Sequence, residues 1–206
     1  MCGIFCAVEK DKFLELYDLN KERGNFSFGA LYDNRTPSVH KTTDLNPEDI
    51  PSDAIIYLGH TRAPTIAQDK PFDPDESHPF QFGNWVVGHN GIIKNFNTLK
   101  KQFNYSGDVD SGIIPVILDK TNSIPDTLEL LEGIFGMWIY NKETKEVNIA
   151  RCACTLYYNT GENYISSQRI SDADVLLEQG TIYKWSSDDV LITSGSFIYS
   201  SPYFFI

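Results

Sequence analysis

An apolar run begins almost at the amino terminus of this 206-residue chain. Residues 3–8 are small, apolar and partly β-branched, a pattern typical of a buried strand. A fold of this chain has to bury that strand, so we expect the core to be organised around the first few residues. Cys2 then lies at the start of the first strand.

Cys2 gains a chemical function if Met1 is removed. It then carries a thiol and a free α-amine, whose ordinary pKa of about 7.7–8.0 leaves a useful fraction unprotonated at neutral pH. The amine can take the thiol proton directly or through one water, as it does for N-terminal threonine nucleophiles. A cysteine after Met1 is more often only a small residue that starts a strand, so Cys2 alone is a candidate nucleophile.

Charge and hydropathy argue against two classes of partner. The formal net charge is −11, whereas a nucleic-acid surface needs clustered Lys and Arg. No apolar run approaches the roughly 20 residues of a membrane helix, and the amino terminus lacks the basic and apolar regions of a signal peptide. We therefore expect a cytoplasmic protein without nucleic-acid or membrane partners.

The four cysteines predict no metal site. None belongs to a CxxC pair, and no other His or Cys lies near Cys152 and Cys154 in the sequence. These two alternate along a strand-like run, so both thiols are expected to face the same side as buried, reduced cysteines. We predict neither a metal nor a cofactor.

The rest of the chain is predicted to form short helices and strands in one domain, since no repeat, linker or low-complexity segment interrupts it. Helical spacing of apolar residues predicts helices at 12–21, 96–103, 108–118 and 127–132, the second capped by Asn95. A hairpin is expected around Asn34, and residues 23–32 form a loop that runs into a strand. Apolar runs predict further strands at 54–62, 85–93, 134–140, 146–151, 156–158, 164–167, 181–185 and 190–193.

Polar residues accompany two of the predicted strands. Arg62 ends the strand at 54–62, and Asn90 and Gly91 lie near the end of the strand at 85–93. Each group has an ordinary interpretation: a polar strand end, or a type I′ hairpin turn at Asn-Gly. Asp110 and Ser111 could likewise be a helix N-cap. Only their combination indicates a functional site.

Taken in order, these motifs resemble class II glutamine amidotransferase domains, the N-terminal-nucleophile glutaminase domains of glucosamine-6-phosphate synthase, amidophosphoribosyltransferase and asparagine synthetase. The resemblance spans nearly the whole chain and implies an α+β fold, a four-layer αββα sandwich with two antiparallel sheets, in a single domain over residues 2–206. The motifs are Cys2-Gly3-Ile4, Arg23-Gly24 with Ser27 and Gly29, Gly59-His60-Thr61-Arg62, His78-Pro79-Phe80, His89-Asn90-Gly91 with Asn95, Asp110-Ser111, Ile149-Ala150-Arg151 and later segments up to Tyr183.

The resemblance implies acyl transfer from the side-chain amide of L-glutamine. Cys2 would attack the amide carbon, release ammonia and leave a γ-glutamyl thioester that water hydrolyses to glutamate. The family's oxyanion hole corresponds to the Asn90 side chain and the Gly91 N–H. Such preorganised donors are each worth about 3–4 kcal/mol of barrier. Gly91 also allows close approach of the backbone to the substrate because it has no Cβ.

The resemblance also assigns the unreacting end of glutamine. Arg62 corresponds to the arginine that binds the α-carboxylate, for which a planar guanidinium is suited. Asp110 corresponds to the acceptor for the α-ammonium, and Arg23 to a supporting arginine near the nucleophile.

One segment departs from the sugar-phosphate synthases of the family. The substrate-binding threonine of the family is retained as Thr65, but Ala63 and Ile66 replace the Trp and His that help to enclose glutamine. Three functions therefore stay open. The first is a glutaminase that supplies ammonia to a separate synthase subunit, with the aromatic tail at 200–206 as a candidate docking element. The others are an autonomous amidohydrolase acting on another γ-glutamyl or amide substrate, and a catalytically silent binding subunit.

Overall fold

Two antiparallel sheets form the framework of the protein, seen in a computed structural model that describes residues 2–63, 71–188 and 191–199. In chain order the strands are β1 (Gly3–Ala7), β2 (Ser27–Asp33), β3 (Pro37–Thr42), β4 (Ile56–Arg62), β5 (Phe80–Phe82), β6 (Trp85–Ile93), β7 (Gly133–Asn141), β8 (Val147–Cys152), β9 (Tyr157–Asn159), β10 (Tyr164–Ser166), β11 (Val175–Leu176), β12 (Thr181–Trp185) and β13 (Leu191–Ser196). The helices are α1 (Lys10–Asn20), α2 (Phe96–Gln102), α3 (Ile113–Thr121) and α4 (Ile124–Leu130).

The first strand occupies the middle of the first sheet. That sheet has seven strands in the order β11-β9-β10-β1-β4-β2-β3. The second sheet has six, in the order β13-β12-β8-β7-β6-β5. Because β1 lies between β10 and β4, the start of the chain is hydrogen-bonded on both sides.

Alternation along β1 shows how the layers form. Ile4 and Cys6 point into the apolar core between the two sheets, while Phe5 and Ala7 point into a second core that α1 covers. A third core fills the space between the second sheet and the helices α2, α3 and α4. The resulting order, helix, sheet, sheet, helix, confirms the expected αββα sandwich. Among the described residues, no helix has the length and apolar character needed to cross a membrane.

Most predicted elements are present, but two local interpretations are wrong. Asn90 and Gly91 do not form a turn, because β6 continues to Ile93 and pairs with β7 along its whole length. Asn95 occupies the N-cap position of α2, but its side chain makes no capping hydrogen bond. Its side chain instead donates to the Leu130 carbonyl at 2.8 Å and accepts from the Glu132 N–H at 3.1 Å, which ties α2 to the end of α4.

Candidate active site

Cys2 lies directly before β1, at one end of this central strand of the first sheet. Gly3 pairs with Thr61 of β4, so the antiparallel register brings Cys2 beside Arg62. Gly3 is required there because a Cβ would come within 2.8 Å of the Asn20 side chain and 2.7 Å of the Thr61 hydroxyl. Thr61 Oγ1 also donates to the Asn20 carbonyl at 3.0 Å.

Arg23 holds the backbone of Cys2, and Ser167 holds that of Ile4. Arg23 Nε donates to the Cys2 carbonyl at 3.0 Å and Nη1 donates to the Ser167 carbonyl at 3.1 Å. The Ser167 hydroxyl accepts from the Ile4 N–H at 2.6 Å and lies 2.8 Å from the Ile4 carbonyl. Arg23 therefore lies beside Cys2 and links its carbonyl to that of Ser167. Ser167 was missed as a site residue, although it belongs to one of the matched motifs.

The environment of the Cys2 thiol leaves it protonated at neutral pH. Burial raises its pKa above the ordinary value, and this effect exceeds the opposing effects of the Ala63 N–H and of the Arg62 and Arg23 charges. A buried, protonated thiol is a poor nucleophile until a base removes its proton. The site therefore needs a base close to Cys2.

Buried histidines join β4 to β6. His60 Nε2 donates to the His89 carbonyl at 3.0 Å, and His78 stacks on His60 with ring centroids 3.8 Å apart. Burial lowers the pKa of His60 to about 3 and that of His89 to about 4, and it lowers the pKa of His78 well below its ordinary value. All three rings are therefore neutral at pH 7. The His60–His89 hydrogen bond links β4, two residues before Arg62, to β6, one residue before Asn90.

Gly91 occupies a backbone conformation that only glycine adopts readily. Its φ is +149°, and a Cβ at this position would overlap the Ile134 carbonyl oxygen of β7. The close pairing of β6 with β7 thus explains the glycine. Gly91 is exposed at the protein surface, directly after the buried residue Asn90.

Asn90 contacts a cysteine whose position was predicted wrongly. Its Nδ2 donates to Cys154 Sγ at 3.4 Å. Cys152 and Cys154 do not face the same side, because β8 ends at Cys152 and Ala153 has a φ of +54°. Cys152 packs in the core between the second sheet and helices α2, α3 and α4, while Cys154 turns toward Asn90. No sequence signal indicated a positive φ at Ala153.

Arg62 is fixed beside Cys2 by two kinds of contact. Its guanidinium lies over the Phe26 ring, 5.4 Å from the centroid. Its Nη1 donates to the Glu76 carbonyl at 3.0 Å and lies 3.4 Å from Ser77 Oγ. The side chain is half-buried and held in one place. Thr65, the other predicted residue of this segment, lies outside the described residues.

Asp110 lies at the end of β6. Its Oδ2 accepts from the Ile93 N–H at 2.8 Å, two residues after Gly91. The next residue, Ser111, places its Oγ 2.7 Å from His89 Nδ1. Within the part of the chain that the structure describes, Asp110 and Arg62 form no ion pair, so the two charges are separate. Also within that part, no cluster of three or more His, Cys, Asp or Glu side chains could hold a metal ion.

Known proteins share this sequence pattern. Residues 68–188 match the family model described as a glutamine amidotransferase domain. The chain is similar to glutamine–fructose-6-phosphate aminotransferase (isomerizing) of Zymomonas mobilis subsp. mobilis, 30% identical over 159 residues that cover 67% of this chain and 24% of the relative. It is also similar to 7-cyano-7-deazaguanine synthase 2 of Sulfurisphaera tokodaii, 26% identical over 147 residues that cover 65% of this chain and 32% of the relative. The chain thus spans about a quarter to a third of their length.

The fold is shared with a solved structure, glutamine phosphoribosylpyrophosphate amidotransferase from B. subtilis complexed with ADP and GMP. The TM-score is 0.70, and the match covers 94% of this chain and 49% of the other at 18% identity. At that identity the likeness concerns the fold. The family match at 68–188 contains Asn90, Gly91 and Asp110, while Cys2 and Arg62 precede it.

Proposed function

The chain belongs to the glutamine amidotransferase domain family, and from this premise we propose that Cys2 is the nucleophile with which it hydrolyses L-glutamine, and that the ammonia is handed to a synthase on a separate polypeptide. One observation supports the residue assignment: the register of β1 with β4 sets Cys2 beside Arg62. The His60–His89 hydrogen bond then links β4, which ends at Arg62, to β6, which carries Asn90.

The first step is activation of the thiol. Removal of Met1 frees the Cys2 α-amine, which accepts the thiol proton, directly or through one water. The thiolate attacks the side-chain amide carbon of glutamine, so a C–S bond forms and the carbonyl oxygen becomes an oxyanion. A separate base is unnecessary, and the neutral histidines behind the site take no part in proton transfer.

The oxyanion is stabilised by donors on β6. The Asn90 side-chain amide and the Gly91 N–H are the proposed pair, and donors of this kind are each worth about 3–4 kcal/mol of barrier. The proton then passes from the Cys2 amine to the leaving nitrogen, the C–N bond breaks and ammonia departs. Water attacks the γ-glutamyl thioester, the C–S bond breaks and glutamate is released.

Substrate selection comes from the two separate charges. The α-carboxylate of glutamine pairs with Arg62 and the α-ammonium pairs with Asp110. A zwitterion satisfies both groups at once, whereas a simple amide satisfies neither. This arrangement favours free glutamine over a glutamine residue inside a peptide, because an internal residue has neither an α-carboxylate nor an α-ammonium group.

The test is glutaminase assay with covalent labelling of the mature protein. Intact-mass analysis should show that active protein begins at Cys2, and a glutamine-like diazoketone should label Cys2 alone. Burial raises the pKa values of the other three thiols as it does that of Cys2, but none of the three has an α-amine beside it to take the proton, so these are poor competitors. Activity with Met1 still attached would exclude the amine as base, and labelling of Cys6 would mean that the nucleophile is misidentified. Purification of the protein from its native source, with identification of what accompanies it, tests the synthase partner.

A further inference from the structure

The thiol of Cys154 contacts Asn90 at two points. Cys154 Sγ accepts from Asn90 Nδ2 at 3.4 Å, and it lies 3.7 Å from the Asn90 carbonyl oxygen, to which its S–H donates. Both distances suit hydrogen bonds to sulfur. One side chain thus holds the main chain and the side chain of the same residue.

The surrounding backbone brings the sulfur to this place. Asn90 pairs with Gly136 of β7, and a Cβ built on Gly136 would be only 3.6 Å from Cys154 Sγ, so the sulfur packs against this glycine. The turn that carries Cys154 is fixed by Arg151 Nη1, which donates to the Cys154 carbonyl at 2.8 Å. It is also fixed by the Ala153 N–H, which donates to Gln179 Oε1 at 3.3 Å.

The direction of the two hydrogen bonds determines how the amide of Asn90 is turned. A thiol has one weak donor, and its lone pairs are weak acceptors. Because the S–H of Cys154 points to the Asn90 carbonyl, its lone pairs face the side-chain amide and accept from Nδ2. The opposite amide orientation would place Oδ1 against those lone pairs. Nδ2 carries two hydrogens, so one remains for the oxyanion.

This arrangement persists when Cys2 ionises. Burial raises the pKa of Cys154, and the charge of a Cys2 thiolate raises it further. Cys154 therefore keeps the proton that it donates to Asn90 while Cys2 gives up its own.

We propose that Cys154 is a positioning residue, which holds the Asn90 amide in the orientation that leaves one N–H for the oxyanion. The inference rests on the proposed function, since it deepens the role given to Asn90. It concerns the transition state, in which the oxyanion exists, rather than the binding of glutamine.

The experiment compares three variants in glutaminase assays. Cys154→Ala should lower kcat about tenfold and change KM less than twofold, because a net hydrogen bond of this kind corresponds to roughly a three- to tenfold effect. Cys154→Ser keeps a donor and an acceptor and should retain most of the activity. Cys152→Ala is the matched control, since it removes a nearby thiol that does not contact Asn90, and its kcat should equal that of the wild type.

A double-mutant cycle then ties the effect to Asn90. Adding Cys154→Ala to Asn90→Ala should change kcat less than twofold, because no amide is left to position. Independent, multiplicative losses would overturn the proposal, and so would a wild-type kcat for Cys154→Ala or equal losses for the Ala and Ser variants. If the Ala variant does not fold, Cys154→Val, which fills the space without hydrogen bonding, replaces it.

The two levels of the hypothesis fail differently. A large loss in Asn90→Ala together with a wild-type Cys154→Ala removes the positioning role and leaves the proposed function intact. A wild-type kcat in Asn90→Ala removes the oxyanion assignment, and the role of Cys154 with it.

Discussion

At the scale of the residue, the proposed site separates groups that bind from groups that act only in the transition state. Arg62 is held by Phe26 and by the carbonyl of Glu76, independently of any step of the reaction. Asn90 is held by Cys154 with one amide hydrogen to spare. Substitution of each residue should therefore change a different kinetic constant.

Asn90→Ala is expected to lower kcat by roughly 10²–10³ with a smaller effect on KM, because the amide donates mainly to the oxyanion. Arg62→Ala should chiefly raise KM, since it removes the partner of the unreacting carboxylate. Steady-state kinetics with glutamine measure both constants. If Asn90→Ala raised only KM, the oxyanion assignment would have to be abandoned.

Cys2→Ala should abolish glutamine hydrolysis and leave the melting temperature within about two degrees of the wild type. The reason is that Arg23 holds Cys2 through its carbonyl, which the substitution retains. Thermal unfolding followed by circular dichroism measures the stability. A large drop in melting temperature would show that the thiol itself supports the fold.

Residue chemistry was also where sequence reasoning failed most clearly. The proposed role of Cys2 and the position of Arg62 follow from motifs that lie on or next to regular strands. The position of the Cys154 thiol depends on the positive φ of Ala153, which follows the end of β8 and turns the thiol toward Asn90. No pattern of apolar residues encodes such a change.

At the scale of the element, the pairing of β6 with β7 determines the conformation of Asn90 and Gly91. This long-range pairing overrides the local preference of Asn90-Gly91 for a turn, so the turn predicted from the sequence does not form. Strands such as β1 were predictable because their side chains alternate between two cores. The two-residue strand β11 was too short to show any period, and only Phe80 is buried in β5.

Gly91→Ala should destabilise the fold by about 2–4 kcal/mol, because its φ is +149° and a Cβ would overlap the Ile134 carbonyl. Gly195→Ala in β13 is the control, since the nearest atom to its Cβ would be 3.7 Å away. Urea denaturation of both variants gives the comparison. Equal stabilities would show that β6 and β7 can separate locally at little cost.

At the scale of the whole molecule, the two sheets are joined by buried histidines that are uncharged at neutral pH. The folded pKa values of His60 and His89, about 3 and about 4, lie below the ordinary value of 6.5. As pH falls below 6.5 the unfolded chain takes up protons that the folded protein does not. Stability is therefore complete above about pH 6.5 and is lost progressively toward pH 3–4.

Acid unfolding should thus be steep, with a loss of roughly 1–2 kcal/mol for each of His60 and His89 between pH 6.5 and pH 5. His78→Phe should reduce the slope by one proton, and it removes two ring nitrogens that have no hydrogen-bond partner among the described residues. Urea titrations at several pH values measure the slope. An unchanged slope in the variant would mean that His78 takes up a proton in the folded state.

The Ile4–Ser167 contact has a consequence for how the protein is made. A ribosome synthesises Ile4 early, yet Ser167, which fastens the first strand, comes 163 positions after Ile4. At about 5–20 residues per second, that delay lasts roughly 10–30 seconds. Throughout that interval the first sheet is incomplete, because β10 and Ser167 have not been made. The order of synthesis thus leaves the amino terminus accessible to methionine removal, the step that the proposed mechanism requires, before β1 is fastened on both sides.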